Sequence, residues 1–219
     1  MTYNITKIFA ALSQVEENHE RLAENRIGAL AIGVLEVQVK RHNSRGDVAF
    51  SDEQERLITL CLDILNNLGD SPIILNKMMK KDLPSLLVPF VRLRSPGAIV
   101  LSLSLIRSAS IYEETAAALS AEGCQVIPFL VSVLGNTDVR EISVDVICTL
   151  FNLSLHDRCL DMISRTDIWE SLAILVEDRC NQAVSLMYRL SSTEANRDYM
   201  TEMGLAALVG ELVNDFAPR

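Results

Sequence analysis

Apolar residues recur along this chain every three or four positions, the spacing that puts side chains on one face of a helix. The recurrence itself repeats. Four segments, Leu57–Val91, Ile99–Ser132, Ile142–Val176 and Cys180–Val213, align without internal gaps on Leu68, Ala109, Leu153 and Leu190, which stand 41, 44 and 37 residues apart. Three positions before this anchor stand Leu65, Ile106, Leu150 and Met187, and six before it Leu62, Leu103, Ile147 and Val184. Fifteen after it stand Leu83, Cys124, Ile168 and Leu205, and twenty-two after it Phe90, Val131, Leu175 and Leu212. A period near forty residues is that of helical-repeat solenoids.

Each segment reads as three helices. Long helices are predicted near 55–68, 98–109, 139–153 and 181–190. Shorter ones follow, near Ile73–Lys81, Pro84–Leu93, His156–Ser164, Asp167–Glu177 and Leu205–Val213. Asp70-Ser71-Pro72 supplies a helix start, and breaks are expected at Gly69, Asp82-Leu83-Pro84, Ser95-Pro96-Gly97, Gly123, Gly135-Asn136 and Gly204. Residues 1–54 are less regular: Ile5–Leu12 and Glu16–Val39 read as helices, and Lys40–Asp52 as an exposed polar loop. β-branched runs bounded by turns are absent, so no strand is expected. The predicted fold is an all-α, right-handed solenoid of about four to five repeats over residues 55–219, with 1–54 as an N-terminal cap.

Composition agrees. Of 219 residues, 49% are hydrophobic and 22% charged, with nine glycines and six prolines, which fits a globular helical chain and excludes low-complexity classes. Net charge is −9. Residues 1–100 hold 12 basic and 12 acidic side chains, and residues 101–219 hold 8 and 17, so the excess lies in the second half. That balance argues against direct nucleic-acid binding through phosphate neutralisation. Five cysteines without paired spacing and three isolated histidines (His19, His42, His156) point to reduced thiols, with no metal and no cofactor. The opening residues lack a secretory pattern and no apolar run reaches membrane-spanning length, so a nuclear or cytoplasmic location is expected.

The segment Ala121-Glu122-Gly123-Cys124-Gln125-Val126-Ile127-Pro128-Phe129-Leu130-Val131 resembles the short helix, glycine and G-x-I-P-x-L-V helix of armadillo repeats. Weaker copies start at Asp82 and Met203. Asn67-Leu68 and Asn152-Leu153 match the family's habitual ending of the long third helix. Ser108-Ala109 and Arg189-Leu190 depart from it. Peptide-binding members often carry a tryptophan one turn before that asparagine, where this chain has Asp63, Ser104, Cys148 and Ser185. The resemblance therefore does not imply the nuclear-import type of groove. The run Leu150–Leu155 and the helix start Ser51-Asp52-Glu53-Gln54 are similar to the armadillo domain of the heat shock factor 2-binding family, meiotic adaptors for the breast-cancer type 2 susceptibility protein. The same run also resembles the kinesin-associated armadillo family.

Catalytic chemistry has little to rest on. Glu16, Glu17, Glu20, Glu24 and the pair Glu113-Glu114 read as solvated helix faces. His156 and Cys159 share a helix face but lack a third, orienting group. No glycine-rich phosphate loop is present. Lys77, Lys80 and Lys81 read as cations at a helix end, or as a docking patch for an acidic partner. The expected function is non-catalytic adaptation between proteins, ahead of an enzyme on a helical scaffold or a nucleic-acid-binding repeat. The candidate binding column is Asn67, Ser108, Asn152 and Arg189, joined by Ser104 and Ser185 one turn earlier. Asn67 and Asn152 could equally satisfy last-turn carbonyls. The expected partner is a protein or peptide segment, and a homodimer is compatible with this reading.

Overall fold

The computed structural model describes residues 2–44, 50–69, 71, 74–75, 78, 83–87, 89–90, 95–121, 125–136 and 140–216. Every regular element among them is helical. The chain divides into two compact units, Met1–Ala118 and Leu119–Arg219.

The first unit opens with α1 (Thr2–Ser13), a 3-10 turn (Glu16–Asn18), α2 (His19–Glu24) and α3 (Ile27–Ser44). The long α4 (Asp52–Gly69) comes next, then α5 (Leu83–Leu87), α6 (Pro96–Ala109) and α7 (Glu113–Leu119), which reaches the unit boundary. A reciprocal cap starts α4: the Ser51 amide donates to Gln54 Oε1 at 3.1 Å, and the Gln54 amide to Ser51 Oγ at 3.4 Å. Asp52, Glu53 and Glu55 add negative charge to the same first turn. The helix then buries Ile58, Cys61, Leu62, Ile64, Leu65 and Leu68 and packs against α1, α3 and α6. This packing joins α3 to α4 across the division at residue 54 that the polar stretch suggests.

The second unit runs α8 (Val126–Asn136), α9 (Arg140–Ser154), α10 (Asp157–Ser164), α11 (Trp169–Glu177), α12 (Asn181–Leu190), α13 (Glu194–Glu202) and α14 (Leu205–Phe216). Here α9 packs on α8, α10 and α12, while α14 packs on α11 and α13. Asn196 of α13 ties successive turns together, donating to Leu190 O at 2.7 Å and Ser164 Oγ at 2.9 Å.

The repeat columns are the core. The anchors Leu68, Ala109, Leu153 and Leu190 are fully buried, as are the residues three before them. Leu83, Ile168 and Leu205 are buried at the position fifteen after, and Phe90 and Val131 at twenty-two after. Val184 and Leu175 are half-buried exceptions. The four predicted long helices are α4, α6, α9 and α12, and Ile5–Leu12 is the middle of α1.

Three boundaries differ from expectation. The helix expected over Glu16–Val39 is broken at Asn25-Arg26, where Arg26 takes a left-handed φ of 59° and ends α2. The loop expected from Lys40 starts later, because α3 continues to Ser44: Gln38 is buried in it, and Arg41 and His42 sit favourably in its last turn. Gly135-Asn136 belong to α8 rather than following it. The helix expected at Ile73–Lys81, with its lysine cluster, lies largely outside the described residues, as do Gly123 and Cys124.

Candidate partner-binding surfaces

In the first unit the column helices are α4 and α6. Asn67, one position before its anchor, is half-buried. Its Nδ2 donates to Ser13 Oγ on α1 at 3.0 Å, and that hydroxyl donates in turn to Ala10 O at 2.8 Å. Asn66, one residue earlier, donates to Leu62 O and, across to α6, to Leu101 O at 2.8 Å. The two amides therefore act as clasps between long helices. Ser104 and Ser108 are half-buried on α6. Asp63 lies one turn before Asn67 and is also half-buried, and that burial raises its carboxyl above its ordinary value.

Asn67 faces more than α1. With Ser13, Glu16, His19, Glu20, Glu24 and Ser71 it lines an open hollow of about 860 Å³. Among the described residues that line it, three are carboxylates and none is lysine or arginine. Glu16, Glu20 and Glu24 stand four residues apart, so one wall carries them. His19 Nε2 lies 2.7 Å from Ser13 O. These glutamates are exposed, as expected of a solvated helix face, and the turn at Glu16–Asn18 and α2 set them beside Asn67.

In the second unit Asn152 is half-buried on α9. Arg189 on α12 is engaged within the fold: its Nε donates to Ser154 O at 2.9 Å, and its guanidinium lies 3.8 Å from the exposed Asp157 carboxylate. The guanidinium is thus already engaged where a partner carboxylate is expected to pair with it. Ser185 is exposed and donates to Asn181 O at 3.0 Å. It lies on an apolar groove of about 700 Å³ with Phe151, Val184, Tyr188, Met200 and Val209. Tyr188 is 82% exposed. Sequence reasoning missed Tyr188 and Phe151, although both stand two before an anchor, where Asn66 and Arg107 stand in the first unit.

Cys61, Cys148, Cys159 and Cys180 are not in disulfides. Burial pushes the Cys61 thiol up to about 12, which keeps it protonated. Cys159 is fully buried. Among the described residues no three His, Cys, Asp or Glu side chains are grouped to hold a metal ion. No described helix is long and apolar enough to cross a membrane.

No family model matches the sequence. The fold is similar to that of the designed armadillo repeat protein YIII(Dq)4CqI, with a TM-score of 0.76 and 15% identity over 98% of this chain and 87% of the other. A second design, YIII(Dq.V1)4CPAF, solved in complex with peptide (KR)4, matches with a TM-score of 0.72 and 15% identity over 94% of this chain and 83% of that one. With every described element helical and the columns buried at the repeat period, the chain has an all-α solenoid fold of the armadillo type.

Proposed function

We propose that this chain is a non-catalytic adaptor that holds an extended, basic segment of a partner protein along the exposed edges of its long helices. The observation that carries the reading is the hollow in which Asn67, a member of the repeat column, stands beside Glu16, Glu20 and Glu24. An extended segment presents backbone donors and acceptors that an amide can meet, and cationic side chains that the carboxylate wall attracts. The peptide held by the design YIII(Dq.V1)4CPAF alternates lysine and arginine, which supports a basic occupant for a scaffold of this fold. Ser104 and Ser108 extend the contact surface within the first unit, and Asn152 and Ser185 offer polar contacts of their own in the second. The likeness of Leu150–Leu155 to meiotic adaptors supports a setting in recombination, with attachment of cargo to a motor as the alternative, in the nucleus or the cytoplasm.

Fluorescence anisotropy with a labelled (KR)4 peptide tests the proposal. Binding should weaken as salt rises, and should fall at least about tenfold when Glu16, Glu20 and Glu24 are all changed to glutamine, since each loses one attractive charge. An equally long peptide of alternating Glu and Asp should not bind. Equal binding of the two peptides, or no binding of the basic one at low salt, overturns the reading.

A further inference from the structure

Two cavities adjoin in the first unit. One is the acidic hollow of Asn67, Glu16, Glu20 and Glu24. The other is a smaller pocket of about 180 Å³. Ala23 and Ile74 line both. Buried Gly28, Ile32, Leu68 and Met78 form the floor of the small pocket, and exposed Ala29 and Arg26 form its rim.

The backbone makes the change of character abrupt. α2 ends at Glu24, and the left-handed turn at Arg26 leads into α3, whose first residues, Ile27 to Ile32, are all apolar. The carboxylates therefore stop at the hollow. On α4 the neighbours Asn67 and Leu68 line one cavity each, the amide the acidic one and the leucine the apolar one. Gly28 keeps the small pocket open: a Cβ there would stand 3.4 Å from Met78 Cε and 3.6 Å from Leu68 Cδ1.

Charge decides which side chain suits which cavity. Among the described residues that line the small pocket none is a carboxylate, and the single charge is the Arg26 guanidinium. A lysine or arginine entering it would lose hydration, find no counter-charge and meet a like charge. An aliphatic side chain gains by leaving water. At about 30 Å³ for each water-sized group, the pocket has room for the four side-chain carbons of leucine.

Building on the basic-segment reading above, we propose that the small pocket takes one aliphatic side chain of leucine size from the same extended segment, beside the basic residues held in the acidic hollow. The two cavities together then select a mixed basic and aliphatic motif, where charge alone would accept any basic stretch.

Fluorescence anisotropy on the full chain compares two labelled peptides, with Leu or Gly at the centre and two Lys-Arg pairs on each side. Their charges are equal. The Leu peptide should bind at least about tenfold more tightly, as expected for burying one such side chain. Ala29→Leu places a leucine of the chain's own at the rim, where it competes for the pocket, and should bring the ratio of the two affinities below about twofold. Gly28→Ala, which narrows the floor and suits a helix, should lower the ratio as well. Circular dichroism verifies the fold of both variants. Equal binding of the two peptides to the parent chain overturns this proposal and leaves the basic-segment reading standing. Binding of neither peptide at low salt overturns both. A tenfold preference that survives in both variants also overturns the proposal, since the leucine would then sit elsewhere.

Discussion

Asn67 donates its amide to the hydroxyl of Ser13, 54 positions earlier, across the packed pair α4 and α1. Ser13 is fully buried, so the acceptor that the amide meets has no water to replace it. Asn67→Ala should cost about 1 kcal/mol of stability, the net worth of one such bond. Ser13→Ala should remove the same bond from the other side. Urea unfolding of the two single variants and the double variant should give a coupling energy of roughly 0.5–1.5 kcal/mol. A coupling near zero would mean that the contact is incidental.

Leu68 and Leu12 each stand last but one in a helix and differ in surroundings. Leu68 is fully buried, whereas Leu12 is 41% exposed. Leu68→Ala should therefore cost about 2–5 kcal/mol, as cavity-forming substitutions do. Leu12→Ala should cost less than about 1 kcal/mol, since much of its surface is already in water. Similar losses at both positions would show that Leu12 is as deeply buried as Leu68.

How much of this was legible beforehand follows from what each feature depends on. The anchors and their neighbours are set by helical spacing, so Leu65, Leu68, Leu150 and Leu153 were placed in the core from sequence alone. The extent of α3 was not. Lys40–Ser44 look like loop residues, but a helix already packed through Leu35 and Gln38 carries them on for another turn. Two members of the polar column also make contacts inside the fold that the spacing does not reveal. Periodicity places Asn67 and Arg189 on the right helices, but their partners Ser13 and Ser154 lie 54 and 35 residues away. Nothing in the local pattern points to those residues. The groove at Tyr188 escaped notice for a related reason: one aromatic within an apolar helix acquires meaning only when α13 and α14 are seen beside it.

Gly204 and Arg26 give a matched pair of backbone tests. Both follow the end of a short helix and take positive φ, 73° and 59°. Gly204 suits that position, and no atom lies within 4 Å of where a Cβ would stand. Gly204→Ala should thus cost roughly 1–2 kcal/mol from backbone strain alone. Arg26→Gly relieves the same strain but loosens the unfolded chain, so the net gain should be below about 1 kcal/mol. Thermal unfolding reads both. A stabilising Gly204→Ala would show that the left-handed turn is not needed to end α13.

Asp63 supplies the pH test. Its folded carboxyl titrates above the ordinary 3.8 because burial disfavours the charge. In the interval between 3.8 and that raised value the folded chain binds more proton than the unfolded chain. Stability therefore falls as pH rises through this interval and stays reduced above it. Asn cannot ionise, so Asp63→Asn should be more stable than the parent at neutral pH. The advantage should shrink as pH falls and vanish once Asp63 is protonated in both states. The basic partner adds a second arm. A cation seated beside Asn67, one turn from Asp63, favours the ionised carboxylate and lowers its pKa. Saturating (KR)4 peptide should then reduce the advantage of Asp63→Asn at neutral pH. Urea unfolding at several pH values, with and without peptide, measures both effects. An advantage that does not change with pH would show that Asp63 is as hydrated in the folded chain as in the unfolded one.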